Sequence, residues 1–222
     1  MRDLEDIYYD PKQAERKRRY ESFIDAGPSN DSREAEAKRT MSSFGESVKI
    51  PTAPVKKPDF KIEESKIVYE ITSIQCSEQE RITQRIQPRT EQDFINDVNK
   101  KIDHTLEKDY TDYQDYLRVV FIFIDTILVA LCNYTEYAAT PSIIKQTVFS
   151  ESDIDCIILA PAPSSISEEM THVAFAKDVP KAKIFEEKLP KMISVSDING
   201  HNLRLILYLV YILQDSLLLS VL

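Results

Sequence analysis

Two acidic residues on neighbouring extended segments are the strongest candidates for chemistry in this chain. Asp59 lies in the segment KKPDFKIEE (56–64), and Glu70 lies in the segment SKIVYEITSI (65–74). The two segments are predicted to form a hairpin that turns at residues 63–65. Proteins usually hold Mg²⁺ with one or two carboxylates, while water and phosphate oxygens complete its coordination. Asp59 and Glu70 are therefore a candidate pair of ligands for one Mg²⁺ ion.

The residues around this pair form a pattern that occurs in one superfamily of nucleases. Pro58-Asp59 followed by Glu70-Ile71-Thr72 resembles the PD-(D/E)xK signature of the restriction-endonuclease-like superfamily, which are metal-dependent phosphodiesterases. The resemblance implies a restriction-endonuclease-like α/β core, in which helices flank a mixed sheet. It also implies Mg²⁺-dependent cleavage of nucleic acid, with Asp59 and Glu70 as the metal ligands. A non-catalytic module of the same fold, which binds nucleic acid or a protein partner, is the alternative.

Thr72 stands where the family has its lysine, a compact cation that positions the attacking water and stabilises charge in the transition state. Lys66 is the preferred replacement, because it precedes Glu70 by four residues and alternation along one strand would place both side chains on one face. Lys100 and Lys101, on the helix predicted to follow, are further candidates. The departure at Thr72 favours the non-catalytic alternative.

Nuclease-like sites of this kind often include a glutamate from the helix before the hairpin. The segment SREAEAKR (32–39) offers Glu34 and Glu36, and Glu36 is the preferred candidate. Either glutamate would also suit a solvated helix face. The predicted catalytic residues are therefore Asp59, Glu70, Lys66 and Glu36, with Mg²⁺ bound by the first two.

Three arginines recur every four residues after the second acidic segment. They are Arg81, Arg85 and Arg89, and on a helix the first two share a face that could contact phosphates. Ion pairs with Glu78 and Glu80 on a solvated surface are the alternative. The chain has 28 basic and 37 acidic residues and a net charge of −9, which argues against a broad surface for nucleic acid. Any nucleic-acid contact is therefore expected to be local.

A second acidic motif suggests a different chemistry. Ser152-Asp153-Ile154-Asp155 resembles the metal-binding D-h-D element of nucleotidyltransferases. That family also needs a Gly-Ser turn shortly upstream, and the glycines of this chain, Gly27, Gly45 and Gly200, all lie elsewhere. A charged entry to a strand is the simpler interpretation of this motif. For residues 56–74, a charged hairpin that faces solvent is the alternative to a metal site.

The predicted helices and strands follow the order helix, hairpin, helix, strand, strand, which matches the αβββαβ core implied by the resemblance. Residues 1–30 are expected to form a helical arm, and residues 31–222 the α/β domain. Helices are predicted at 10–24, at 32–44 with an end at Gly45, from the capping box of Ser77 and Glu80, and after Thr90. Strands are predicted at 118–125, 154–159, 172–176 and 183–185. Two further helices are predicted near Ser167 and from Asn202 onward.

The cysteines and the apolar segments bear on location and partners. Cys76, Cys132 and Cys156 form neither a disulfide framework nor a zinc motif, and the segment MRDLEDIYYD lacks the apolar run of a signal peptide, so a cytoplasmic protein is expected. Residues 117–132 and 203–222 are apolar but interrupted by charges, which favours buried core over a membrane span. A homo-oligomer contact through the C-terminal apolar helix is a further expectation.

Overall fold

The computed structural model describes most of the predicted domain. It covers residues 30–51, 55–77, 79–80, 86–125, 128–129, 132–162 and 172–204. The predicted arm helix, the helix near Ser167 and residues 205–222 lie outside the described residues.

The described residues form one eight-stranded mixed sheet whose spatial order follows the chain from β1 to β8. The strands are β1 (Val48–Lys49), β2 (Phe60–Ile62), β3 (Ile67–Ile74), β4 (Leu117–Ile124), β5 (Cys156–Pro161), β6 (Val173–Ala176), β7 (Ser194–Asp197) and β8 (Asn202–Arg204). Strands β3, β4 and β5 run parallel, as do β6 and β7, and the other neighbours are antiparallel. The predicted α/β class is confirmed, with helices on both faces of a mixed sheet.

The helices divide between the two faces of the sheet. They are α1 (Asn30–Met41), α2 (Glu91–Leu106), α3 (Tyr134–Ala139), α4 (Pro141–Ile144) and α5 (Val179–Lys188). Helices α1 and α5 contribute to one cluster of buried apolar side chains, and α2, α3 and α4 contribute to the other. The sheet therefore separates two apolar cores.

The central strands explain why residues 119–124 are all apolar. In β4, Phe121 and Phe123 belong to one core, whereas Val120 and Ile122 belong to the other. Because β4 is covered on both faces, neither set of alternating positions can be polar. The same burial accounts for the apolar run in β5.

Helix α2 is the crossover between the parallel strands β3 and β4. Thr90 caps it: its side chain accepts from the backbone N–H of Asp93 at 3.2 Å, and the Asp93 carboxylate accepts from the backbone N–H of Thr90 at 2.8 Å. Phe94, Val98 and Ile102 are fully buried, as the four-residue spacing predicts. Leu106, the last residue of the predicted stripe, is 37% exposed because the helix ends there.

Near the hairpin, Gly45 ends the short 3₁₀ turn after α1 with a φ of 135°, a conformation that favours glycine. A Cβ at this position would lie 2.8 Å from Cγ2 of Ile62 in β2. The prediction that the helical segment at 32–44 ends at Gly45 is therefore confirmed. The turn of the hairpin between β2 and β3 occupies residues 63–66.

Two predicted elements after residue 165 are wrong. Residues 183–185 belong to α5, whose start is capped by the side chain of Asp178, rather than to a strand. Asn202–Arg204 is strand β8, rather than the start of a helix, because it pairs with β7. Among the described helices, none combines the length and apolar character that a membrane span requires.

Replacing Thr90 with alanine tests the cap of α2. Thr90→Ala should lower the free energy of unfolding by about 1 kcal/mol, since the backbone N–H of Asp93 loses its side-chain acceptor. Thr90→Ser keeps the hydroxyl and should stay close to wild type. Urea denaturation measures both variants, and equal midpoints for Thr90→Ala and wild type would contradict the capping role.

Candidate functional site

The site lies where β3 continues past the end of β2. The ladder between the two strands ends with Phe60 opposite Tyr69, whereas β3 extends to Ile74. The backbone N–H of Ile71 instead donates to Oδ2 of Asp59 at 2.9 Å. The Asp59 carboxylate is therefore fixed beside the open edge of β3.

Glu70 projects from β3 toward the same place. Its side chain is almost fully buried, and its Oε1 forms an ion pair with the ammonium of Lys108. The same ammonium lies 3.8 Å from Oδ1 of Asp59. The structure thus brings the two predicted carboxylates together, and one lysine contacts both.

Burial dominates the electrostatics of Glu70. The pKa of Glu70 is raised to about 7, first by burial and then by the negative charge of Asp59, while Lys108 lowers it. Its second oxygen, Oε2, is buried without a hydrogen-bond donor among the described residues. A buried carboxylate oxygen of this kind is costly unless it is protonated or binds a cation.

A polar groove of about 420 Å³ opens beside Asp59. Its walls come from α1, from the part of β3 that extends past β2, and from α2. The lining residues are Arg33, Glu34, Asp59, Ile71, Thr72, Ser73, Gln75 and Lys101. Two cations and two carboxylates therefore face one small space.

Lys101 places a cation in the groove that also contains Thr72. Burial and the nearby charge of Lys100 lower the pKa of Lys101. No described carboxylate forms an ion pair with its ammonium. Helix α2 therefore places a positive charge in this groove. The family motif would have a lysine at the position of Thr72, which carries no charge.

The prediction that Lys66 shares a strand with Glu70 is wrong. Lys66 ends the hairpin turn with a φ of 50°, and β3 begins only at the next residue. Its ammonium bonds to Glu63 at 2.9 Å and to the hydroxyl of Tyr116 at 3.3 Å. Lys66 therefore stabilises the turn, and Lys108 takes the place beside Glu70.

The choice between the two glutamates of α1 is also corrected. Glu36 bonds to Arg39 at 2.6 Å and to His172 at 3.0 Å, away from the groove. Burial raises the pKa of Glu36, but hydrogen bonds from His172 and Arg39 outweigh burial and lower this pKa to about 2. Glu34 lines the groove and pairs with Lys49 at 2.9 Å. Residues two apart on a helix point in nearly opposite directions, so only one of them can reach the site.

Of the three arginines that recur every four residues, only Arg89 lies among the described residues. Arg81 and Arg85 lie outside the described residues. Arg89 pairs with Glu80 at 2.9 Å, and Glu80 also completes the predicted capping box with Ser77. Arg89 therefore has an internal partner. The alternative expected an ion pair with Glu80 on a solvated surface, whereas Glu80 is buried.

The acidic pair at 153 and 155 has structural partners. Asp155 accepts from the backbone N–H of Arg118 at 2.8 Å and pairs with Lys181 at 2.7 Å. Asp153 is exposed and lies 3.7 Å from the Arg118 guanidinium. These contacts agree with a charged entry to β5.

Comparison with known proteins gives no match: no protein-family model fits the chain, and no curated protein or solved structure is significantly similar to it. The geometry of the site is therefore the basis for inferring its function.

Glu70 should make the stability of the metal-free protein depend on pH. Its pKa is about 7 in the folded chain and 4.5 ordinarily, so the folded state binds more protons between these values. The free energy of unfolding should therefore fall as pH rises through this window. The decrease due to Glu70 should be at most about 3 kcal/mol, and Glu70→Gln should remove it. Denaturant titrations in chelator-treated buffer from pH 4 to pH 8, which span roughly both pKa values, measure the free energy of unfolding at each pH.

Glu63→Gln is the matched control for this experiment. Glu63 is exposed in the hairpin turn, and hydrogen bonds from Lys66, Tyr116 and Lys61 lower its pKa to about 2. It stays ionised across the window, so its pH profile should parallel that of wild type. Parallel profiles for Glu70→Gln and wild type would show that Glu70 does not titrate as described.

Proposed function

We propose that this protein is a Mg²⁺-dependent phosphodiesterase that cleaves nucleic acid. The observation that carries the proposal is the convergence of Asp59 and Glu70 at the open edge of β3, beside a groove that contains Lys101. The order α1, β1, β2, β3, α2, β4 adds support, because it is the αβββαβ order that the sequence resemblance implies.

The donor atoms at the site suit a hard divalent cation. Asp59 and Glu70 offer carboxylate oxygens, and Oε2 of Glu70 is buried without a donor among the described residues. Mg²⁺ typically takes one or two protein carboxylates and fills its other positions with water and phosphate oxygens. Asp59 and Glu70, which share the Lys108 ammonium, are the residues that would hold it. The described residues contain no group of three or more His, Cys, Asp or Glu side chains that could hold a metal ion, so water and phosphate oxygens would have to fill its other positions. When bound, Mg²⁺ would polarise a phosphate oxygen and lower the pKa of a water molecule.

The remaining groove residues suit the binding of a phosphodiester. Lys101 places positive charge near Asp59, where negative charge develops on the phosphoryl oxygens during cleavage. Arg33, whose guanidinium donates to the hydroxyl of Ser73, lies in the same groove and suits recognition of a phosphate. Glu34 offers a third carboxylate in the groove, although Lys49 already binds it. We assign Lys101 the role that lysine has in the family.

A non-catalytic nucleic-acid-binding module is the second candidate. Lys108 already neutralises Glu70, and Thr72 leaves the motif without its own lysine. In such a module, Arg33 and Lys101 would contact phosphates without cleavage. The chain would then bind oligonucleotides equally well with Mg²⁺ or with a chelator.

Cleavage assays on mixed DNA and RNA substrates test the proposal. The wild-type protein should cleave with Mg²⁺ and not with a chelator, and Asp59→Asn should lower the rate at least about 100-fold. Lys101→Met should lower the rate by about 100-fold, since it removes the cation that stabilises the transition state. Thr72→Lys, added to Lys101→Met, returns a lysine to the motif position and should restore part of the rate.

Lys100→Met is the matched control, because Lys100 is exposed on α2 next to Lys101. It should cleave at the wild-type rate. Cleavage that survives Asp59→Asn would rule out this site. Equal rates for Lys100→Met and Lys101→Met would remove Lys101 from the mechanism, and binding without cleavage by wild type would favour the non-catalytic module.

A further inference from the structure

Lys108 contacts the two carboxylates that would hold the metal ion under the proposed function. Its ammonium pairs with Oε1 of Glu70 and lies 3.8 Å from Oδ1 of Asp59. The Lys108 side chain is 11% exposed and that of Glu70 is 4% exposed, so dissolved salt screens their contact only weakly. The Lys108 ammonium therefore contacts both candidate metal ligands.

A lysine ammonium and Mg²⁺ compete for these carboxylates. Both require the negative charge of Glu70, and two cations held within a few ångströms of each other repel strongly where the dielectric constant is low. Mg²⁺ also needs closely defined oxygen positions around it. The ion pair formed by Lys108 therefore opposes metal binding.

A second cavity offers the Lys108 side chain another position. Lys108 lines this cavity, which has a volume of about 610 Å³. Asp109, Glu151 and Asp153 also line it, so it contains acidic partners for an ammonium. Lysine has a flexible four-carbon stem, which allows its charged end to move while its backbone stays in place.

We propose that Lys108 is a tethered counter-ion that stabilises Asp59 and Glu70 in the metal-free protein and leaves them when a divalent cation binds. Lys108 thereby sets the concentration of divalent cation at which the site fills. This inference rests on the proposed function, because it requires Asp59 and Glu70 to be metal ligands.

Lysine acetylation measured by mass spectrometry tests the displacement on the unaltered protein. The rate at which acetic anhydride labels Lys108 should rise several-fold when MgCl₂ is added, because an ammonium released from a buried ion pair becomes more accessible. Lys66, which pairs with Glu63 in the hairpin turn, is the internal control and should keep its rate. A Lys108 rate that does not change with Mg²⁺ would overturn the displacement.

Binding of Mn²⁺, followed by electron paramagnetic resonance, tests the competition. Lys108→Met and Lys108→Gln should bind Mn²⁺ at least about tenfold more tightly than wild type, since the competing charge is gone. Lys101→Met also removes one positive charge, from the groove, but breaks no ion pair to Asp59 or Glu70. The affinity of this variant for Mn²⁺ should therefore rise much less. Affinities equal to or weaker than wild type in the folded Lys108 variants would overturn the proposal, with circular dichroism as the test of folding.

The two proposals fail with different results. If wild type binds Mn²⁺ and cleaves nucleic acid but the Lys108 variants bind no more tightly, only the role of Lys108 is overturned. If the Lys108 variants gain affinity and no protein cleaves, the role of Lys108 stands and the nuclease proposal fails. If neither wild type nor Lys108→Met binds Mn²⁺, both proposals are overturned.

Discussion

The parallel pairing of β3 with β4 is the constraint on which the candidate site depends. Its register runs from Ile67 opposite Leu117 to Ile74 opposite Ile124. Parallel neighbours cannot be joined by a tight turn, so the chain has to cross one face of the sheet, and α2 is that crossover. The apolar stripe of α2 fixes its rotation about its own axis against the sheet. Lys101 on the helix and Lys108 just after it are consequently held over the residues of β3 that carry the site.

The electrostatics of Glu70 follow from the same packing. A residue of β3 that faces α2 loses its water, and the carboxylate of Asp59 adds a second negative charge close by. An isolated pair of this kind would strongly disfavour the ionised state. Lys108 offsets the cost by binding Oε1, yet Oε2 still has no donor among the described residues. The fold therefore retains a partly compensated negative site, which is the condition under which a carboxylate pair attracts a cation.

The groove supplies local positive charge on an acidic chain, which the proposed phosphodiester substrate would require. A net charge of −9 disfavours contact between nucleic acid and the surface as a whole, so the proposed binding would have to depend on a few well-placed cations. Arg33 from α1 and Lys101 from α2 both line this groove, and, after burial, the charge of Arg33 contributes to the lowered pKa of Lys101. Their charges lie beside Asp59, so an oligonucleotide held by them would have a phosphate near the carboxylate pair. This arrangement favours contact with a short stretch of substrate over extensive binding along a duplex.

Local signals in the sequence were sufficient for much of this architecture. The α/β class, the hairpin and the capped helix α2 depend on periodicity, capping residues and turn residues that lie within a few positions of one another. The pair Asp59 and Glu70 is predicted from its positions on the two segments of that hairpin and from a motif that spans residues 58–72. The partners of that pair depend on contacts between distant segments. Which glutamate of α1 faces the groove depends on how the helix is rotated in its packing, and this rotation selects Glu34 instead of Glu36. The first residue of β3 depends on where the turn ends, which excludes Lys66. The approach of Lys101 and Lys108 depends on the crossover of α2, because only the folded sheet brings that helix over Glu70 and Thr72.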